Sequence, residues 1–235
     1  MSLLNSFKKR STLDAAIKQV AQARKSDGSK AEQLYKGAYQ GFASVIADHL
    51  IVSEALYHWG FALLHEARTQ QGTIANDTYE DAISKFSFCL LTNPSYLGAA
   101  IDGGVALMEL ARNRGDAGKS ELYGLAEDFF EKACVIQKGS AAYNLACVYA
   151  LRGEEESCLA ALQTAKEFGS LPEEQNILQD PDMATIIDKP WFKAFLEELR
   201  VKPEPEPKLK DVKIDSEPRF KVQQKEDFDY YAKSE

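Results

Sequence analysis

The chain has 235 residues, 45% hydrophobic and 27% charged, enough to bury one or two cores. Its formal net charge of −8 and isoelectric point near 5.1 repel phosphate backbones and anionic lipid, so nucleic acid is not an expected partner. No run approaches the roughly 18 consecutive apolar residues of a membrane span, and MSLLNSFKKR lacks the apolar stretch of a secretory signal. The expected location is therefore cytoplasmic, without membrane insertion.

In chain order, the helical pattern repeats itself. A shift of 44 residues superposes three segments column by column. Small residues coincide at Ala16, Gly60 and Gly104, followed by the pairs Ala23-Arg24, Ala67-Arg68 and Ala111-Arg112. Further on, Tyr35, Tyr79 and Tyr123 align, then Ala38, Ala82 and Ala126, then Phe42, Phe86 and Phe130, then Val45, Cys89 and Ala133. An alanine and a phenylalanine four residues apart share one helical face. The small residue lets a second helix approach, and the ring fills the space beside it. Each copy thus reads as a helix A, a turn and a helix B that bury their apolar faces only by stacking on neighbours.

Local signals divide the copies. Gly28, Gly72 and Gly115 fall in the intervening turns, and Ser29-x-x-Glu32 and Asp77-x-x-Glu80 read as capping boxes opening the B helices. A fourth, shorter copy runs through Leu145-Ala146, Tyr149, Gly153, Cys158, Leu162 and Ala165, and Gly153 and Gly169 mark helix ends. Between Leu171 and Leu199 two short, proline-punctuated helices carry Trp191, Phe192 and Phe195, suited to covering the last apolar face. Beyond Arg200, PEPEP (203–207) cannot continue a helix. The Lys/Glu/Pro-rich remainder reads as a disordered tail ending in an aromatic and acidic DFDYY run with Phe228, Tyr230 and Tyr231.

The order small residue, alanine, aromatic, small residue, proline resembles the tetratricopeptide repeat (TPR) family. It is carried best by Trp59-Gly60, Leu63, Ala82, Phe86, Cys89 and Pro94 and covers about residues 12–170. The resemblance implies an all-α, right-handed solenoid of antiparallel helix pairs. The first three units depart from the family period of about 34 residues, and the excess falls between the Gly60-type and Ala82-type columns, in helix A, its turn, or both. Three regions follow: TPR-like repeats over 1–170, capping helices over 171–200 and the tail over 201–235.

In the family the A helices line a concave groove. The matching positions are Glu54, Tyr57, Phe61, Leu64 and His65, then Ile101, Val105, Met108 and Glu109, then Tyr143, Cys147 and Leu151. These side chains either anchor an apolar helical or extended segment of a protein partner or serve as core. A clamp for a chaperone tail's carboxylate is not expected, because Tyr57, His58, Phe61 and Asp102 stand where Lys and Asn are needed, and only Asn144 is of the right type.

No catalytic constellation accompanies this pattern. Phosphate loops and G-x-S-x-G elbows are missing from the sequence. His58 and His65 share a helix face at a spacing that does not make a zinc motif, and the four cysteines lack C-x-x-C spacing, so no cofactor or metal is expected and buried free thiols are. Asp180 and Asp182 flank Pro181 in a turn, where capping accounts for them. The reading is a non-catalytic scaffold or assembly adaptor. Its alternative is a self-assembling homo-oligomer whose aromatic tail docks in the groove of itself or a neighbour.

Overall fold

The computed structural model describes residues 3–47, 51–116 and 121–200. Among these residues all regular structure is helical, as expected. The helices are α1 (Leu3–Ala23), α2 (Gly28–Ala47), α3 (Val52–Ala67), α4 (Gly72–Thr92), α5 (Leu97–Arg114), α6 (Glu121–Ile136), α7 (Ala142–Arg152), α8 (Glu155–Glu167), α9 (Glu174–Gln179) and α10 (Pro190–Arg200). A short 3-10 turn, Pro181–Met183, separates the last two. Each helix from α1 to α8 packs on the next, and α3 also touches both α1 and α5. No described helix is long and apolar enough to cross a membrane.

The repeating columns are the core. Tyr35, Ala38, Phe42 and Val45 are the buried residues of α2, Tyr79, Ala82, Phe86 and Cys89 occupy the same stripe of α4, and Tyr123, Ala126, Phe130 and Ala133 that of α6. The small-residue column faces the rings. A Cβ built on Gly60 would lie 2.9 Å from Cε1 of Phe86, and one on Gly104 2.5 Å from Cε1 of Phe130. A side chain larger than hydrogen has no room there, and this close approach sets the spacing of helix A on helix B in both units. Trp59 joins the first two helix pairs, stacking on Tyr39 at 5.9 Å and on Phe42 at 6.4 Å between ring centroids.

Two local expectations need correction. Asp77 lies inside α4, which begins at Gly72, so Asp77-x-x-Glu80 does not open the helix; Ser29 likewise falls within the first turn of α2. For the same reason the additional residues of the α3–α4 unit lengthen helix B. Helix A ends at Ala67, the turn is only Arg68 to Gln71, and α4 already runs for nearly three turns before Ala82. The capping pattern in the sequence thus falls one to two turns inside α4 and within the first turn of α2. At Gly153 the reading holds: its φ of 75° is the left-handed conformation glycine adopts most cheaply, and the Glu154 N–H donates to the Tyr149 carbonyl to close α7.

The segment after α8 folds over the end of the helix pairs. Ile177, Met183, Ile186, Phe192, Phe195 and Leu196 are buried in the same cluster as Ala146, Val148 and Leu162. All four cysteines are unpaired, and Cys89, Cys147 and Cys158 are buried. The tail, with Phe228, Tyr230 and Tyr231, lies outside the described residues.

Candidate functional site

Burial leaves one narrow strip open on each central A helix. On α5, Ala99, Ala100, Gly103, Gly104, Ala106, Leu107, Met108, Leu110 and Ala111 are buried, while Ile101, Asp102, Val105 and Glu109 are half-buried. Steps of three or four residues keep those four on one face. On α3 the corresponding strip is Glu54, Tyr57, His58, Phe61 and His65. The open faces of α3 and α5 adjoin, because Tyr57 reaches across: its hydroxyl donates to Asp102 Oδ2 at 3.1 Å, and its ring stands 4.9 Å from that of Tyr96. Burial pushes the Asp102 carboxyl up, against the Tyr57 hydrogen bond and Arg68, which lower it.

Of the expected groove residues, Tyr57, Phe61, His65, Ile101, Val105 and Tyr143 are half-buried and come from three successive A helices. Leu64, Met108 and Cys147, also candidates for the groove, are buried at 1%, 3% and 5% exposure and take the second of the two readings, that of core. The physical reason is that a central A helix is enclosed by the helices before and after it, so its core stripe is wider than that of a helix packed on one side.

The arginine column was visible in the sequence, but its role was not. Each arginine reaches toward a later element of the chain. Arg68, just past the end of α3, grips Glu109 on α5 through Nε and Nη2, at 2.9 Å for Nε to Oε2. Arg112 on α5 grips Asp182 after α9, with Nη2 to Oδ2 at 2.8 Å and Nε to Oδ1 at 3.2 Å. Arg24, just past the end of α1, instead places its guanidinium 5.4 Å from the Phe61 ring centroid. Between the end of α1, α2 and the end of α3 lies a cleft of about 680 Å³ lined by Arg24, Tyr35, His65, Glu66 and Arg68. His65 meets Phe61 edge-on at 4.4 Å, and its imidazole is pushed down to about 4 by burial and then by Arg24 and Arg68.

That depression has a stability consequence. In the unfolded chain an imidazole takes up its proton near pH 6.5, whereas folded His65 does so only near 4. The unfolded state therefore binds more protons in this window, and the imidazole's contribution to stability is lost as pH falls from about 6.5 toward 4. Asp102 and Glu66, both raised by burial, contribute the opposite slope. His65→Gln removes the imidazole contribution alone, so the difference between variant and wild-type denaturation curves should change by about 1 kcal/mol between pH 7 and 4.5, after discounting for solvent access.

A second polar cluster ties the C-terminal segment to the helices. The Tyr143 hydroxyl donates to Asp180 Oδ2 at 2.8 Å, and the Asp182 N–H donates to Asp180 Oδ1 at 2.9 Å. Asp180 thus caps the 3-10 turn, as its sequence position suggested. Cys147, Asp180 and Asp182 form the one group among the described residues whose donor atoms are close enough for a metal ion. The carboxylates are already engaged by Tyr143, a backbone N–H and Arg112, and burial pushes the Cys147 thiol up, away from the thiolate a metal requires. The cluster was illegible in the sequence because Arg112 and Asp182 stand 70 positions apart. Asp182→Asn is expected to cost about 1–2 kcal/mol by weakening a charge-assisted bidentate contact. Hydrogen exchange should show the loss first in α10 and in the last turns of α5.

No family model matches the sequence, and no curated protein matches it.

Proposed function

We propose that the chain is a non-catalytic protein-interaction scaffold of the TPR type, acting in the cytoplasm as an adaptor or assembly factor. Its helix pairs stack as a right-handed solenoid, and the A-helix face receives an apolar helical or extended segment of a partner. The observation that carries this reading is the set of half-buried aromatic and aliphatic side chains, Tyr57, Phe61, Ile101, Val105 and Tyr143, supplied by successive A helices. Apolar anchors fixed on rigid helices and flanked by hydrogen-bonded acids suit recognition of a segment by side-chain insertion. Tyr57 and Tyr143 are held in place by Asp102 and Asp180, so little side-chain freedom remains to be lost on binding.

The test compares proteins retained from native lysate by the wild-type chain, by Phe61→Ser with Val105→Ser, and by Phe88→Ser with Leu91→Ser. The last pair removes exposed apolar side chains on α4, away from the A-helix strip. Loss of two interface anchors should weaken a partner by about 30-fold or more, while the α4 pair should leave it unchanged. Equal retention by all three would refute a groove-binding scaffold.

A further inference from the structure

The 44-residue repeat is broken at one functional column. Shifting Arg24 by one repeat gives Arg68, and by a second gives Arg112. Arg68 and Arg112 each hold a carboxylate of a following element, Glu109 and Asp182. Glu109 shifted back by one repeat is His65, which burial and two arginines keep neutral at physiological pH. Arg24 is therefore left without the carboxylate its counterparts have. Its guanidinium rests on Phe61, and among the described residues it makes no ion pair. The acids around the cleft do not replace the missing one: Glu66 accepts the Tyr39 hydroxyl, while Asp27 and Glu32 line the cleft without bonding to Arg24.

We propose that Arg24 receives a carboxylate from the chain's own Asp227–Tyr231 segment, with the segment's aromatic side chains lying along Phe61 and Val105. This rests on the A-helix face being a peptide-binding surface and names one occupant for it. The chemistry of DFDYY matches Arg24 and the apolar strip beside it. Asp227 and Asp229 supply carboxylates to an exposed guanidinium held beside the Phe61 ring, whose planar fork favours bidentate pairing. Phe228, Tyr230 and Tyr231 supply rings to an aromatic and aliphatic strip. In an extended segment alternate residues share a side, which would set Asp227 and Asp229 toward the guanidinium and Phe228 and Tyr230 toward the apolar strip, with Tyr231 on the side of the acids. The covalent geometry permits the contact. The 26 residues between Arg200 and Asp227 can span up to about 90 Å at 3.3–3.6 Å each, against roughly 10 Å for each packed helix layer crossed. The cation missing from the carboxylate-clamp positions of α3 is thus supplied two helices earlier, by Arg24 at the end of α1.

The experiment places a photoreactive phenylalanine analogue at position 228 of the full-length chain and maps the products of irradiation by mass spectrometry. Products on the segments 23–28 and 61–68 are expected. Arg24→Glu should lower their yield by about tenfold or more, the range for loss of a charge-assisted hydrogen-bond pair. Asp227→Asn with Asp229→Asn should do the same, and Arg24→Lys should restore part of the yield. Circular dichroism of each variant confirms that helicity is retained, since Arg24 is exposed and outside the core. Products concentrated on Phe88, Leu91 or Val135 of α4 and α6, or yields unchanged in Arg24→Glu, would overturn the proposal. The outcome separates from that of the scaffold reading. A partner lost with Phe61→Ser and Val105→Ser, beside unchanged cross-linking in Arg24→Glu, sinks only this inference. Cross-linking that needs Arg24, beside partner retention indifferent to Phe61 and Val105, sinks only the scaffold reading.

Discussion

Replacing Phe130 with alanine is expected to lower the unfolding free energy by about 3–5 kcal/mol, the range for deleting a fully buried ring. Phe130 has 0% exposure and belongs to the cluster that spans α3 to α10, so the cavity has few routes of collapse. At about 1–3 kcal/mol per molar urea, the unfolding midpoint should fall by roughly 2 M. Gly104→Ala attacks the same contact from the other side, because the new Cβ would meet Cε1 of Phe130 at 2.5 Å. The ring is enclosed and cannot retreat, so overpacking should cost about 1–3 kcal/mol. The decisive measurement is the cycle. Combined with Phe130→Leu, which withdraws the ring, Gly104→Ala should cost less than it does alone, since the clash has gone. Strict additivity would mean that Gly104 is required by its backbone and not by the ring.

The same pair shows why the helix stacking was legible in the sequence. Glycine at 60 and 104, with phenylalanine at 86 and 130, is a short-range rule: one small residue, one ring, 26 positions apart, repeated. Periodicity records such contacts because every unit needs them. The boundaries of the B helices were less legible. Asp77 and Glu80 satisfy a capping pattern, yet α4 had already begun at Gly72, because nothing between Gly72 and Asp77 breaks a helix once packing supports it. The candidate site was half legible. The half-buried positions of α3 and α5 follow from helical spacing, but spacing leaves Leu64, Met108 and Cys147 undecided between groove and core, because a pattern on one helix does not register how many neighbours enclose it. The cross-unit grips escaped entirely. Arg112 with Asp182 and Tyr143 with Asp180 join the repeat to a segment outside it, so no column predicts the partner.

Ending the chain after Ser170 is expected to abolish cooperative unfolding, whereas ending it after Arg200 should leave the transition intact. The segment from Ile177 to Leu196 buries six large apolar side chains, and its removal leaves their partners on α7 and α8, Ala146, Val148 and Leu162 among them, facing water. At about 1.5–3 kcal/mol for each large side chain, the burial at stake is on the order of 10 kcal/mol, comparable with the whole stability of a domain. Removing the segment also returns the entropy of ordering it, so the single change Phe192→Ala, at about 3–5 kcal/mol, isolates the packing contribution. The polar contacts set how far the damage travels. Thr185 donates to the Ala150 carbonyl at 2.9 Å and Trp191 to Glu155 at 2.6 Å, which ties the segment to its nearest helix pair. Arg112 reaches past that pair from α5. Dye binding to exposed apolar surface and hydrogen exchange should therefore report loosening in α5 as well as in α7 and α8. Exchange confined to α7 and α8 would mean that the Arg112–Asp182 contact transmits nothing, and that the segment protects only the surface it covers.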